Sequence, residues 1–104
     1  MIIENGTKFW YLNDQLHRID GPAVEYASGT KYWYQKGKYH RIGGAAVEFA
    51  SGTKYWYQND KYHRLDGPAI EFADGYKIWY LNGIKIKCST QEEFKRLIKL
   101  GSFW

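Results

Sequence analysis

Several things are scarce in this 104-residue chain, and each scarcity excludes something. There is one cysteine, Cys88, so no disulfide can form within the chain. A lone thiol fits a reducing compartment, and a cytoplasmic location is expected. There are only two prolines, Pro22 and Pro68, at equivalent places in the sequence. No apolar run is long enough to cross a bilayer as a helix, so no membrane span is expected. The opening Met1-Ile2-Ile3-Glu4-Asn5 has no basic stretch and no long apolar core, so no secretory signal is expected. No Ser or Cys nucleophile recurs beside a base, and no cluster has metal-ligand spacing. Neither a metal nor a cofactor is therefore expected.

One-sided charge is also missing from most of the chain. Residues 1–83 hold ten Lys/Arg against nine Asp/Glu. The basic excess behind the net +4 lies mostly in residues 84–104, where Lys85, Lys87, Lys95, Arg96 and Lys99 face only Glu92 and Glu93. A general nucleic-acid platform would carry its positive charge on the main body.

Aromatic residues are abundant, at 19% of the chain, with ten Tyr and five Trp. They fall in columns. Gly6, Gly29, Gly52 and Gly75 are each 23 residues apart. Lys8, Lys31, Lys54 and Lys77 follow at the same interval, then Trp10, Trp33, Trp56 and Trp79, then Tyr11, Tyr34, Tyr57 and Tyr80. His17, His40 and His63 each precede an arginine: Arg18, Arg41 and Arg64. Glu25, Glu48 and Glu71 form another column, in which Glu4 is expected to stand. The division is a half repeat at 1–5, full repeats at 6–28, 29–51 and 52–74, a partial repeat at 75–88, and a helix and tail at 89–104. Repeats of this length must stack on neighbours to bury their faces.

Each unit reads as β-structure. T-K-Y-W-Y-Q is rich in strand formers and has no helical period. Asn13-Asp14, Lys36-Gly37, Asn59-Asp60 and Asn82-Gly83 suit two-residue hairpin turns, which need positive φ. Around Ala50-Ser51-Gly52 a three-residue loop puts Glu48 opposite Lys54, as a surface cross-strand charge pair repeated in the other units, and Val47 opposite Tyr55. Around Asn59-Asp60, Tyr57 should oppose Tyr62 and Trp56 should oppose His63. One face then carries Val47, Phe49, Tyr55, Tyr57 and Tyr62. The other carries Glu48, Lys54, Trp56 and His63. At the C-terminal end, Ser89-Thr90-Gln91-Glu92 reads as a capping box. Phe94, Leu97, Ile98 and Gly101 then take helical spacing. The expected fold is all-β: an elongated antiparallel sheet of stacked 23-residue hairpin repeats with a C-terminal capping α-helix.

The unit N-G-K-x-H-R-x-D-G-P-A-x-E-F-A-D-G resembles the MORN repeat, which also has 23 residues. It is more similar to MORN-like repeats in phage, large-virus and bacterial proteins, some of them antitoxin-like. The resemblance covers residues 1–88. It implies a sheet of stacked hairpins used as a scaffold or interaction module, and it fixes no active residue. The usual Y-x-G-x-W is replaced by Y-W-Y, and the H-R-x-D-G-P segment is longer.

Three constellations have both a structural and a functional reading. His17/Asp20 and His63/Asp66 are spaced like half of an acid-base pair, yet Gly43 replaces the Asp in the middle unit. Structural hydrogen bonding explains a repeated motif better than a repeated active site. The Trp10, Trp33, Trp56, Trp79 column is either core or a ladder for bases or a partner's side chains. Arg18, Arg41 and Arg64 either pair with their loop aspartates or bind phosphate or carboxylate. Arg41 lacks its aspartate, so if any of the three is free for a ligand it is this one. With His40 and Trp104 these residues are the candidate partner-binding set.

No catalytic set emerges. The expected function is that of a small non-catalytic protein that occupies a macromolecular partner, in concrete form a phage-encoded inhibitor of a host defence factor in the bacterial cytoplasm. The alternatives are a nucleotide or nucleic-acid binder using the Trp and Arg columns, and a structural or antitoxin-like scaffold. A protein partner is expected first, and exposed sheet edges also allow a homodimer.

Overall fold

The computed structural model describes residues 1–100. Gly101, which figured in the helix pattern, and Trp104, which figured in the candidate set, lie outside the described residues. The protein is a slab of 46 × 31 × 17 Å with a Cα radius of gyration of 15.1 Å. A globular domain of this length would have a radius near ~13 Å.

The strands follow the repeat. The N-terminal hairpin is β1 (Ile2–Glu4) and β2 (Thr7–Phe9), followed by a side hairpin of β3 (Tyr11–Leu12) and β4 (Gln15–Leu16). The second unit runs β5 (Val24–Glu25), β6 (Lys31–Tyr32), then the side hairpin β7 (Tyr34–Gln35) and β8 (Lys38–Tyr39). The third runs β9 (Val47–Glu48), β10 (Lys54–Tyr55), then β11 (Tyr57–Gln58) and β12 (Lys61–Tyr62). The last runs β13 (Ile70–Glu71), β14 (Lys77–Leu81) and β15 (Ile84–Ile86), and α1 (Gln91–Lys99) follows. The main antiparallel sheet has nine strands in the order β1-β2-β5-β6-β9-β10-β13-β14-β15, and the three side hairpins branch from it.

The turns explain this regularity. Both residues of Asn13-Asp14, Lys36-Gly37, Asn59-Asp60 and Asn82-Gly83 have positive φ, which matches the twist of a two-residue hairpin. The three-residue loops each end on a left-handed glycine, for instance Gly52 at φ 104. Register follows as expected: Glu48 faces Lys54, Val47 faces Tyr55 and Tyr57 faces Tyr62. Glu4 is a correction. Asn5-Gly6 is a two-residue turn with both φ positive, so Glu4 pairs with Thr7 and Ile3 takes the place opposite Lys8.

The hairpins branch at tryptophan. Trp56 N–H donates to Ala69 O, while Trp56 C=O accepts from His63 N. The chain thus changes partner at this residue, from the main sheet to its own hairpin. Trp10 and Trp33 do the same with Ala23/His17 and Ala46/His40. At Trp79 no further Ala-x-Glu strand follows among the described residues, and β14 runs unbroken through it.

Two layers of apolar packing hold the slab. On one face Val24, Val47 and Ile70 are buried beneath aromatic rows. Tyr34, Tyr39, Tyr57, Tyr62 and Tyr80 form one stack, with centroids 4.5, 4.9, 4.4 and 4.8 Å apart. Burial and the hydroxyl's hydrogen bond to Tyr62 push the Tyr57 phenol far above its ordinary range. At the C-terminal end α1 closes the opposite face. Phe94 is fully buried against Trp79, Leu81 and Ile86, with Leu97 and Ile98 beside it. Full burial of such a side chain stabilises by about 2–3 kcal/mol. The cap lies one residue later than expected. Thr90 is the N-cap and accepts from Glu93 N, while Glu93 accepts from Ser89 N.

Candidate functional site

The face opposite the tyrosines carries the Trp, His and Arg columns. On it each unit builds the same clamp. Arg18, Arg41 and Arg64 lay their guanidinium carbons over Trp10, Trp33 and Trp56, each 3.9 Å from the ring centroid. The other side of each guanidinium rests on a glycine. A Cβ at Gly21, Gly44 or Gly67 would come within 2.9, 2.7 or 2.7 Å of the guanidinium carbon. The glycine that precedes Pro22, Ala45 or Pro68 is therefore a packing requirement of the arginine.

The arginine then ties the loop to the sheet. Arg64 Nη1 donates to Pro68 O and to Glu71 Oε2 at 2.7 Å, and its Nε donates to Asp66 Oδ1 at 2.9 Å. Arg18 repeats this with Pro22 O, Glu25 and Asp20. Arg41 repeats two of the three, with Ala45 O and Glu48 Oε2 at 3.0 Å. This corrects two expectations. The repeat glutamates pair with arginine, seven residues upstream, although lysine stands opposite them in the ladder. Among the described residues no lysine forms an ion pair with a carboxylate. And Arg41 is not free: it is stacked and ion-paired, and lacks only the aspartate.

The histidines have a different job from the one their spacing suggested. His17, His40 and His63 Nδ1 accept from Lys36, Asn59 and Asn82 N at 2.9, 3.2 and 3.0 Å. Each is a staple from one unit to the hairpin turn of the next. Asp20 and Asp66 turn to arginine instead. The hydrogen bond from Arg64 holds the Asp66 carboxyl below its ordinary range. Burial lowers His63 below the usual imidazole value.

The Trp column divides. Trp79 is 4% exposed, covered by α1, and donates from Nε1 to Gln91 Oε1. Gln91 also donates to Leu65 O, linking the helix to the third loop. Trp10, Trp33 and Trp56 remain half-buried under their arginines. The structure brings Trp56, His63, Arg64 and Arg41 together around one groove of about 270 Å³, with Gly43, Gly44, Gln58, Leu65 and Asp66. Trp33, His40 and Arg41 line a second groove with Gln35 and the loop at 19–22.

One column escaped the sequence pattern. The variable residue of H-R-x-D is Ile19, Ile42 and Leu65, and these are 79%, 78% and 49% exposed. They form a row of aliphatic tips along the groove-bearing face. The available signal was that this position is aliphatic in all three copies despite lying in a polar turn.

No family model matches this chain, and no curated protein or solved structure matches it either.

Proposed function

We propose that the protein is a non-catalytic binding module that seats a protein partner on the face carrying Ile19, Ile42 and Leu65. The observation behind this reading is the aligned row itself. Single exposed aliphatics are ordinary on a protein surface, but the same tip repeated beside grooves supports reading this face as an interaction surface. The clamps beneath it hold each tip on a fixed loop, which lowers the ordering cost of binding. Inhibition by occupying a partner's surface, as expected of a phage-encoded inhibitor of a host factor, suits such a face. The residues that a nucleotide-binding reading would use are engaged otherwise: three indoles lie under guanidinium groups, and each arginine is paired with a glutamate.

The test is affinity capture with the unaltered chain and with an Ile19→Ser, Ile42→Ser, Leu65→Ser variant. The variant should melt within a few degrees of the parent, because surface substitutions change stability by only about 0.5 kcal/mol each. A partner retained by the parent and lost by the variant supports the reading. A partner retained by both sinks it. Oligonucleotide titration followed by Trp fluorescence addresses the rival, and a saturable change there would replace the proposal.

A further inference from the structure

The three clamps are the same except at one place, and the exception has the shape of a missing group. In the first and third units an aspartate carboxylate sits on Arg Nε, at 3.2 Å from Arg18 and 2.9 Å from Arg64. The second unit has Gly43 there. Arg41 keeps its ring, its carbonyl and its glutamate, so its guanidinium is held in the same attitude. Its Nε has no acceptor among the described residues. Beyond its two chain neighbours no atom lies within 4 Å of where a Cβ on Gly43 would be, so the space is open, and Gly43 lines the groove with Leu65 and Asp66 of the third loop.

Charge points the same way. Arg18 has two carboxylates, Asp20 and Glu25, and Arg64 has two, Asp66 and Glu71. Arg41 has one, Glu48. The second clamp is therefore one negative charge short of its neighbours. The other charged groups on that groove are Arg64 and Asp66, and they are already bound to each other.

The geometry points to a carboxylate-binding site at Arg41, filled by an Asp or Glu side chain of the protein partner. This rests on the binding face proposed above and names one contact within it. The incoming carboxylate would accept from Arg41 Nε as Asp20 and Asp66 accept from Arg18 and Arg64. Leu65 lines the same groove and Ile42 directly precedes Gly43 in the chain, so an acidic residue with apolar neighbours is the segment that fits. The arginine is preorganised by its stack and its glutamate, so little side-chain freedom is lost when the anion arrives.

The experiment uses the Nε–H resonances of the three arginines in the full chain, titrated with sodium acetate against sodium chloride at equal ionic strength. Arg41 should shift with acetate and not with chloride, while Arg18 and Arg64 stay still. Asp66→Gly recreates the vacancy in the third unit, and Arg64 should then begin to respond. A capped Gly-Asp-Gly peptide should act as acetate does, and its Gly-Asn-Gly counterpart should not. A silent Arg41, or three arginines that respond alike, overturns the site. So does a response confined to Arg41 that fails to appear at Arg64 in the Asp66→Gly variant. A silent Arg41 in a protein whose capture still depends on Ile19, Ile42 and Leu65 overturns the carboxylate site alone. Loss of that dependence with an acetate response intact overturns the binding face and leaves an anion site.

Discussion

Arg64→Ala removes one complete clamp, and its cost can be worked from the parts. The guanidinium lies 3.9 Å from the Trp56 ring centre on a side chain only 19% exposed, a contact of about 1 kcal/mol. Its 2.7 Å bond to Glu71 is charge-assisted, but Glu71 is 35% exposed, so about 1 kcal/mol survives screening. Pro68 is buried, and its carbonyl loses the acceptor bond it makes to Arg64, which costs about 1 kcal/mol. Asp66 is 87% exposed, so its pair adds little. The expected loss is about 3 kcal/mol, a large share of the 5–15 kcal/mol that stabilises a typical domain. Urea denaturation should show the midpoint falling by roughly 2 M at an unchanged slope of about 1.5 kcal/mol per molar. Circular dichroism should be read beside fluorescence, because the substitution also changes the surroundings of Trp56. A double-mutant cycle with Glu71→Gln isolates the ion pair, with an expected coupling of about 1 kcal/mol. A loss below about 0.5 kcal/mol with no coupling would refute the reasoning, and the clamp would then be surface decoration.

Three further outcomes are expected. His63 is neutral in the folded chain, accepts from Asn82 N through Nδ1, and has its pKa lowered by burial. The unfolded chain therefore takes up this proton first, so stability should be level above about pH 6.5 and fall as the pH drops below it, a fall that His63→Gln should reduce. Phe94→Ala should cost about 3–5 kcal/mol, because the ring is fully buried among Trp79, Leu81 and Ile86, and should expose Trp79 to a soluble quencher. Thr90→Ala should cost about 1 kcal/mol in thermal melts, because Glu93 N loses its acceptor, and Ser89→Ala should cost less.

Much of this architecture was legible in the sequence because strands obey a two-residue rule. Once Asn59-Asp60 and Ala50-Ser51-Gly52 are read as turns, the partners of Tyr57 and Glu48 follow by counting. What counting cannot supply is a choice among side chains within reach. Glu48 stands opposite both Lys31 and Lys54 in the ladder, yet Arg41 takes its carboxylate, because that guanidinium is already fixed on Trp33. The same limit affected the helix cap, where Ser89 and Thr90 were equally eligible by type. Glu4 was misplaced in the count, since the residue 23 before Glu25 is Ile2, and the shorter Asn5-Gly6 turn puts Ile3 opposite Lys8. The tips Ile19, Ile42 and Leu65 do recur every 23 residues, but their identity alone does not say whether a loop aliphatic turns into the core or out to solvent.

The histidine staples have a consequence for how the chain tolerates editing. His17 reaches Lys36, His40 reaches Asn59 and His63 reaches Asn82, each across 19 residues. Every such bond joins one unit to the next and none skips a unit, so each junction is a copy of the others. Cutting out residues 30–52 removes one repeat, and the splice still offers a histidine to a following turn. Cutting out residues 32–53 leaves the strand itself a residue out of step, with Tyr55 in the clamp position and Trp56 on the tyrosine side. The molecule is in effect written in words of fixed length, and whole words can be dropped where single letters cannot.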